Sequence, residues 1–500
     1  MIAALVPLVL CGLTFVEQDI PDVTLYAADG FSGQRDSNFL RADFDGDGTL
    51  DLLLPTYLAF QRGGGFSKTQ TAPIPDFGES PHCDLWGRDI YLCLSDRIEI
   101  IRWDGTQWRR ILSQQLIWPR DCRFKTFSTT FDFEDPKALR FHKFLQDLDG
   151  DGKPEIIVPA RDAVHVYRQG ELFFEDAAQW SVYPAKKVQT FEMEPIWPPR
   201  NRIIRPLNIG WNCDLYVSGS NLVVETVENL SSPTKQLRSV HRPMTFDTGF
   251  AMLGEPEPPR VYRVPSNTYR CRLNDDDVAD FAGSQRERSK TGPVPIPVLT
   301  LTVSTDGGAS WTTLRTTVSQ QQCYCVDINA DGRLDLIAES SGLYQGGLRE
   351  QATSFLTGKT VSQNVNVVPQ QPDGKFIQDK AIRKRFTIQL DAPPMQNSPM
   401  FRAYQIGCLI DLTGDFTGDG LLDLAIHEAP ERIAVYPFTG TGFATAPLAV
   451  LATKPDWMFA VGDVDGDKRA DIVLSGPEST DADVNTVAMR RLFLSRETAP

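Results

Sequence analysis

A nine-residue acidic segment that recurs five times constrains this chain more than any other feature. The copies are DFDGDGTLD from Asp43, DLDGDGKPE from Asp147, DINADGRLD from Asp327, DFTGDGLLD from Asp415 and DVDGDKRAD from Asp463. Oxygen-bearing side chains stand at positions 1, 3, 5 and 9, and a small residue at position 4 allows a tight turn. Clustered carboxylates repel one another unless a hard cation lies among them, and oxygen-only ligands favour Ca²⁺. We therefore predict up to five bound Ca²⁺ ions.

The EF-hand is the competing explanation, because its loop opens with a similar acidic pattern. That loop also needs a carboxylate at position 12 and a helix on either side. Position 12 is instead Leu54, Val158, Ala338, Ile426 or Leu474. A short apolar run typical of a buried strand follows each segment. The segments are therefore predicted to be loops between strands.

A second strand and a glycine turn near an aromatic residue follow several of these loops, as in YLAFQRGGGF, VHVYRQGELF and IAVYPFTGTGF. Acidic loop, apolar strand and turn together resemble the FG-GAP or VCBS repeats of integrin-α-type β-propellers. The resemblance implies that the carbonyl of position 7 joins the side chains of positions 1, 3, 5 and 9 around Ca²⁺. The implied ligands are Asp43, Asp45, Asp47, Thr49 and Asp51; Asp147, Asp149, Asp151, Lys153 and Glu155; Asp327, Asn329, Asp331, Arg333 and Asp335; Asp415, Thr417, Asp419, Leu421 and Asp423; and Asp463, Asp465, Asp467, Arg469 and Asp471.

Three residues depart from the repeat pattern. Asn329 and Thr417 replace aspartate at position 3 of the third and fourth loops, and Lys468 replaces glycine at position 6 of the fifth. We expect the third and fourth sites to bind Ca²⁺ more weakly because each lacks one carboxylate.

The intervals between loops fit multiples of a blade of about 50–60 residues, if some blades have lost their acids. RLNDDDVAD, which begins at Arg272, and the strand-like runs from Gly87 and Cys213 are candidates for such blades. We predict an all-β fold, a β-propeller of seven or eight four-stranded blades, with seven preferred. It spans residues 17–500, with insertions around 188–265 and 363–399. The segment VTLYA at 23–27 is expected to complete the last blade.

The first sixteen residues are almost wholly apolar and end abruptly at Glu17. Their length is typical of a signal peptide and too short for a membrane span, so export is expected. A buried first strand is the alternative. Eight cysteines besides Cys11 suit disulfides in an oxidising compartment, with buried thiols as the alternative.

A net charge of −15 gives no basic field for nucleic acid. The five histidines belong to no triad-like or metal-binding motif. The sequence therefore predicts a secreted, periplasmic or cell-surface module for binding, adhesion or scaffolding, with a protein or glycan ligand and no membrane span after signal removal. An enzyme acting on extracellular polysaccharide, a lyase or hydratase, is the alternative.

Overall fold

Short apolar runs bounded by glycines and acidic turns form strands along most of the chain. The computed structural model describes residues 13–21, 23–26, 39–115, 138–141, 144–147, 150–159, 164–167, 180–182, 213–218, 221–231, 236–246, 258, 260–265, 268–271, 273, 280–288, 297–317, 323–341, 356–396, 398, 400, 409–477 and 486–497. Helical structure within these ranges includes two short 3₁₀ turns, Gln378–Lys380 and Pro394–Gln396. The all-β prediction is confirmed.

The described strands form eight sheets, which we number along the chain. The chain opens with β1 (Leu13–Gln18) and β2 (Val23–Tyr26). Sheet 1 contains β3 (Leu40–Ala42), β4 (Asp51–Leu53), β5 (Tyr57–Ala59) and β6 (Thr71–Pro73). Sheet 2 contains β7 (His82–Trp86), β8 (Asp89–Cys93), β9 (Arg97–Trp103), β10 (Trp108–Gln115) and β11 (Arg140–Phe141). Sheet 3 contains β12 (Leu145–Gln146), β13 (Glu155–Pro159), β14 (Val164–Tyr167) and β15 (Trp180–Val182).

The second half of the chain repeats this plan. Sheet 4 contains β16 (Cys213–Ser218), β17 (Asn221–Ser231), β18 (Gln236–Phe246) and β19 (Arg260–Pro265). Sheet 5 contains β20 (Thr268–Cys271), β21 (Asp280–Arg288), β22 (Pro297–Ser304) and β23 (Thr312–Thr317). Sheet 6 contains β24 (Cys323–Val326), β25 (Asp335–Ser341), β26 (Thr360–Val368) and β27 (Ile382–Gln389). Sheet 7 contains β28 (Ile410–Gly414), β29 (Asp423–Ala429), β30 (Arg432–Tyr436) and β31 (Ala449–Ala452), and β32 (Met458–Gly462), β33 (Asp471–Pro477) and β34 (Thr486–Glu497) belong to sheet 8.

Neighbouring strands of each sheet are antiparallel and follow chain order, with two exceptions. The two-residue strand β11 pairs parallel to β7, and β1 and β2 pair antiparallel with β34. Eight sheets among the described residues is one more than the preferred expectation of seven blades. Both regions in which the sequence predicts insertions contain strands in their described parts. Residues 213–265 supply all four strands of sheet 4, and 363–399 contain most of β26 and all of β27.

The two opening strands both pair with β34. Strand β1 aligns Leu13 with Glu497, and β2 aligns Val23 with Met489, so together they flank β34 along its length. The expected pairing of residues 23–26 with the last sheet is thus confirmed. Strand β1 also runs through Val16, the last residue of the predicted signal peptide, and of its side chains Leu13 is buried. Export itself stays a prediction.

Apolar side chains pack between several pairs of neighbouring sheets. Separate clusters join sheets 1 and 2, 2 and 3, 6 and 7, and 7 and 8. A further cluster joins the first sheet to the last, where Leu52 and Leu54 of sheet 1 pack with Val473 and Leu492 of sheet 8. We call this contact between sheets 1 and 8 the seam. It brings the two ends of the sheet series together.

Two further observations bear on the sequence predictions. Cys83 and Cys93 are buried in β7 and β8, and no two cysteines in the described ranges lie at disulfide distance. Cys11, Cys122 and Cys408 lie outside these ranges. None of the helices in the described part of the chain is both long enough and apolar enough to span a membrane.

Candidate metal centre

Each acidic loop connects the first and second strands of its sheet, as the sequence predicts. The first loop (43–51) follows β3, the second (147–155) follows β12, the third (327–335) follows β24, the fourth (415–423) follows β28 and the fifth (463–471) follows β32. A strand rather than a helix follows every loop, and its position-12 residue is buried where its burial is described, as at Leu54, Ile426 and Leu474. An EF-hand is therefore excluded.

The carboxylate at position 1 organises the turn. In the first loop Asp43 accepts the N–H of Gly46 at 2.6 Å and that of Gly48 at 3.0 Å. The equivalent pair recurs in the second, fourth and fifth loops, with N···O distances of 2.6–3.3 Å. In the third loop, Asp327 instead accepts from Asp331 and Gly332. The position-1 side chain is thus fixed with its oxygens directed into the turn.

The carboxylate at position 5 is fixed by the backbone of position 7 in all five loops. The N–H groups of Thr49, Lys153, Arg333, Leu421 and Arg469 donate to it at 2.7–3.0 Å. This backbone contact does not depend on the side chain, so residues of very different size occupy position 7. The Thr49 hydroxyl and the Arg333 guanidinium also contact the position-5 carboxylates of their own loops. Lys468, at position 6 of the fifth loop, adopts a φ of 72°, the left-handed conformation that glycine has in the other loops.

The carboxylate at position 9 is buried beneath the turn. Asp51, Asp335, Asp423 and Asp471 are each 0% exposed. Each accepts one N–H from position 2 and one from a residue near the end of the next strand, with which the position-9 strand pairs; for Asp423 these donors are Phe416 and Phe438, both at 2.9 Å. Burial raises the pKa of Asp51 to about 6, of Asp335 and Asp423 to about 7, and of Asp471 to about 8. Ionised position-9 carboxylates in this setting need positive charge nearby.

Three carboxylates converge in the first and fifth loops. In the first loop, three carboxylate oxygens lie within 4.8 Å of one another, one each from Asp43, Asp45 and Asp51. The fifth loop has the same arrangement, formed by Asp463, Asp465 and Asp471. Ca²⁺ binds oxygen at about 2.3–2.6 Å, so two opposed ligands are about 5 Å apart. The donor set and its spacing therefore fit Ca²⁺. Within the described residues no such triad forms in the third and fourth loops, which carry Asn329 and Thr417 at position 3. Asp149 of the second loop lies outside the described ranges.

Arginines that the repeat pattern does not include also contact these triads. Arg41 Nη1 lies 3.8 Å from Asp463 Oδ1, and two others each contact positions 3 and 5 of one loop. Arg62 pairs with Asp45, and its Nη1 lies 2.7 Å from Asp47 Oδ2. Arg496 lies 2.5 Å from Asp465 and 3.2 Å from Asp467. All three arginines lie outside the nine-residue segments, so the sequence repeat could not identify them.

Neighbouring loops contact one another in a row. Arg469 of the fifth loop donates to the carbonyls of Phe416 and Thr417 in the fourth. Leu422 of the fourth loop donates to Ile328 of the third at 3.0 Å. The fifth loop meets the first across the seam, where Leu50 packs against Gly466. The third, fourth, fifth and first loops therefore lie on the same side of their sheets.

The described histidine environments favour a structural role. His427 is 1% exposed, and burial lowers its pKa to about 4. His82 is also buried, in β7. A neutral buried imidazole contributes to packing rather than to an open catalytic surface.

Comparison with known proteins supports the repeat directly. Residues 415–474, which include the fourth and fifth loops, match the family model of the FG-GAP-like repeat. The resemblance found in the sequence is confirmed for this part of the chain. No curated protein matches the sequence.

Two solved structures have detectable but weak similarity. A mutant of the Synechocystis apocarotenoid oxygenase is 10% identical, with 80% of this chain and 87% of that chain covered and a TM-score of 0.27. PorZ, a surface component of the type-IX secretion system of Porphyromonas gingivalis, is 9% identical, with 91% and 81% covered and a TM-score of 0.17. At these TM-scores neither similarity supports an inference about fold or function.

Proposed function

We propose that this protein is a Ca²⁺-stabilised β-propeller that serves as an exported binding, adhesion or scaffold module. The observation that carries the proposal is the pair of converging carboxylate triads in loops of FG-GAP type. The seam supports a closed arrangement of the eight sheets, because it joins the first sheet of the series to the last. In this proposal each sheet is one blade.

Ca²⁺ would be held by the oxygens of positions 1, 3, 5 and 9, with the carbonyl of position 7 as a further ligand. The first, second and fifth loops have four acidic side chains each, and the first and fifth, whose triads converge, are the strongest candidates. The third and fourth have three each, so their affinity should be lower. The bound ion would offset the repulsion that otherwise opposes the fold of each loop.

The proposed ligand is an extracellular protein or a glycan, bound on loops at one end of the blades. Loops on a rigid β scaffold tolerate variation in sequence and commonly carry binding residues. The protein's net charge of −15 disfavours an anionic partner such as nucleic acid.

Thermal unfolding with and without Ca²⁺ tests the metal assignment. Ca²⁺ at a hundredfold excess over its Kd should stabilise the folded state by about 2.7 kcal/mol for each occupied site. Chelation should therefore lower Tm clearly. An unchanged Tm, with metal analysis confirming removal of the ion, would refute the Ca²⁺ assignment.

A matched pair of variants tests whether the Ca²⁺-dependent stabilisation comes from the acidic loops. Asp463→Asn together with Asp465→Asn should remove most of the Ca²⁺ response of the fifth loop. Asp373→Asn changes an exposed aspartate that pairs with Lys375 outside the loops, and should leave the response intact. Equal effects of the two changes would contradict the proposed ligands.

The binding role and export need separate measurements. Purified protein on a glycan array, with a parallel polysaccharide turnover assay, should show binding without product formation; turnover would favour the enzyme alternative. Fractionation of cells that produce the full chain should place it outside the cytoplasm.

A further inference from the structure

Arg62 and Arg496 occupy equivalent places in sheets 1 and 8. In sheet 1 the N–H of Gln61 caps the buried Asp51 at 3.1 Å, and Arg62 is the next residue. In sheet 8 the N–H of Ser495 caps Asp471 at 2.8 Å, and Arg496 is the next residue. The strand register, rather than sequence spacing, brings each arginine to the same side of its loop.

Each guanidinium bridges the same two positions of its loop. Arg62 contacts positions 3 and 5 of the first loop, with an N···O distance of 2.7 Å at position 5. Arg496 contacts positions 3 and 5 of the fifth loop at 2.5 Å and 3.2 Å. The residues at the equivalent place in sheets 6 and 7 are Gln371 and Thr439, which carry no charge. Among the loops that the structure describes, an arginine at this place bridges positions 3 and 5 in the two loops whose carboxylate triads converge.

The bridging arginines and a bound cation would act on the same carboxylates. The Asp45 and Asp465 carboxylates belong both to the triads and to the arginine pairs. A carboxylate can shift between hydrogen bonds to a guanidinium and ligation of a metal, but both interactions draw on the same negative charge. Arg62 and Arg496 are 38% and 30% exposed, so their guanidinium groups can move into solvent.

We propose that Arg62 and Arg496 are built-in counter-ions that offset part of the negative charge of the first and fifth loops without metal and withdraw when Ca²⁺ binds. The inference rests on the proposed function, since it assumes that these loops are Ca²⁺ sites. It predicts that both loops keep their shape in the metal-free protein and bind Ca²⁺ more weakly than their four carboxylates alone would. Arg496 also donates to the Gly64 carbonyl at 2.6 Å, which adds a hydrogen bond across the seam to its two carboxylate contacts.

The test compares Arg62→Gln, Arg496→Gln and the double variant with the unaltered full-length chain. Calorimetric titration with Ca²⁺, after chelation and dialysis, should show a dissociation constant about five- to tenfold lower at each altered site, because two exposed ion pairs no longer oppose binding. Tm of the metal-free variants should fall, whereas Tm at saturating Ca²⁺ should be nearly unchanged. Arg109→Gln, which removes an exposed pair with Asp104 away from the loops, is the matched control.

The outcomes separate this inference from the proposed function. A purely structural role for the arginines would lower Tm equally with and without Ca²⁺ and leave the dissociation constant unchanged, which would overturn the inference while Ca²⁺ binding stands. Binding by the double variant but not by the unaltered chain would support the inference. No binding by either would refute both. If a glutamine variant fails to fold, Arg62→Lys takes its place, because lysine retains the charge but not the planar fork of the guanidinium. Its dissociation constant for Ca²⁺ should lie between that of the unaltered chain and that expected for Arg62→Gln.

Discussion

The position-9 carboxylate contributes to the fold as well as to the proposed metal site. It is buried in all five acidic loops and accepts at least two backbone N–H groups in the first, third, fourth and fifth. Asp280 accepts the Leu273 N–H in the same way, although Arg272 stands where the first ligand would be. The position-9 carboxylate is therefore present even in a segment that lacks the first Ca²⁺ ligand.

Replacing Asp423 by alanine should destabilise the protein by about 3 kcal/mol, because the buried N–H groups of Phe416 and Phe438 lose their acceptor. Denaturant unfolding in chelator measures this effect. With Ca²⁺ present the loss should be larger, since a ligand is removed too. Asp280→Ala is the control: its cost should be the same with and without Ca²⁺. A loss below about 1 kcal/mol for Asp423→Ala would contradict the structural role.

The buried His427 should make stability depend on pH. Its folded-state pKa of about 4 lies below the ordinary value of 6.5, so the unfolded chain takes up the proton first as pH falls. The stabilisation that comes from neutral His427 is therefore fully present above about pH 6.5 and decreases as the pH falls toward 4. Between pH 7 and pH 5 the free energy of unfolding should fall by about 2 kcal/mol. His427→Gln should reduce the difference in unfolding free energy between these pH values by that amount. If the unfolding free energies of the two proteins changed with pH in parallel, His427 would not be the group responsible for the pH dependence.

At the scale of single residues, the sequence identifies side chains within the repeat and misses those outside it. Positions 1, 3, 5 and 9 recur at fixed spacing, so their clustering can be predicted from local geometry. Arg62 and Arg496 follow capping residues that are 10 and 24 residues from their position-9 aspartates. The length of the intervening hairpin differs between sheets, and therefore no spacing rule finds them.

At the scale of elements, β1 and β2 complete the last sheet from the other end of the chain. Leu13 is 8% exposed and packs in the cluster between sheets 7 and 8, and the Phe15 ring lies 6.0 Å from that of Phe416. Without these strands, one edge of β34 would present unpaired backbone groups that favour association with other chains.

Deleting residues 13–26 should lower Tm and cause association that size-exclusion chromatography detects. Two substitutions within β1 separate packing from edge pairing. Leu13→Ala should cost about 2–4 kcal/mol because it removes a buried side chain, whereas Val16→Ala, at a position 47% exposed, should cost about 0.5 kcal/mol or less. A monomeric deletion variant with unchanged Tm would show that β34 does not need these strands.

The sequence predicts the elements better where apolar residues and turn residues alternate than where strands are polar. The pairing of residues 23–26 with the last sheet follows from a blade that lacks one strand. Strands β26 and β27 were expected to lie in an insertion, because the segment is rich in polar residues. In the structure, alternate residues such as Val365 and Val367 are buried, and this alternation is the signal that composition alone conceals.

At the scale of the whole molecule, the seam holds the first and last sheets together through a close contact at Gly466. A Cβ at this position would lie 2.6 Å from Leu50 Cδ1 of the first loop. The backbone conformation alone does not require glycine, because Ala330 occupies the same loop position with a φ of 55°. The requirement therefore comes from the neighbouring sheet.

Gly466→Ala should thus weaken the seam. Gly440 has a similar φ of 78°, but a Cβ added there would meet nothing within 4 Å, so Gly440→Ala isolates the backbone cost of about 1 kcal/mol. Gly466→Ala should cost about 1–2 kcal/mol more through the clash with Leu50. Denaturant unfolding in chelator compares the two. Equal losses would show that Leu50 accommodates the added methyl group and that the seam is not tight there.

Completion of sheet 8 has a kinetic consequence. The Thr14 hydroxyl and the Arg496 carbonyl that it contacts are 482 residues apart, whereas most other sheets assemble from neighbouring strands. Contacts between such distant residues form slowly, because the intervening chain must first lose most of its conformational freedom. During synthesis β1 emerges from the ribosome long before its partner β34 does. We therefore expect the other sheets to assemble before sheet 8 is complete, which leaves β1 exposed to chaperones and proteases throughout translation.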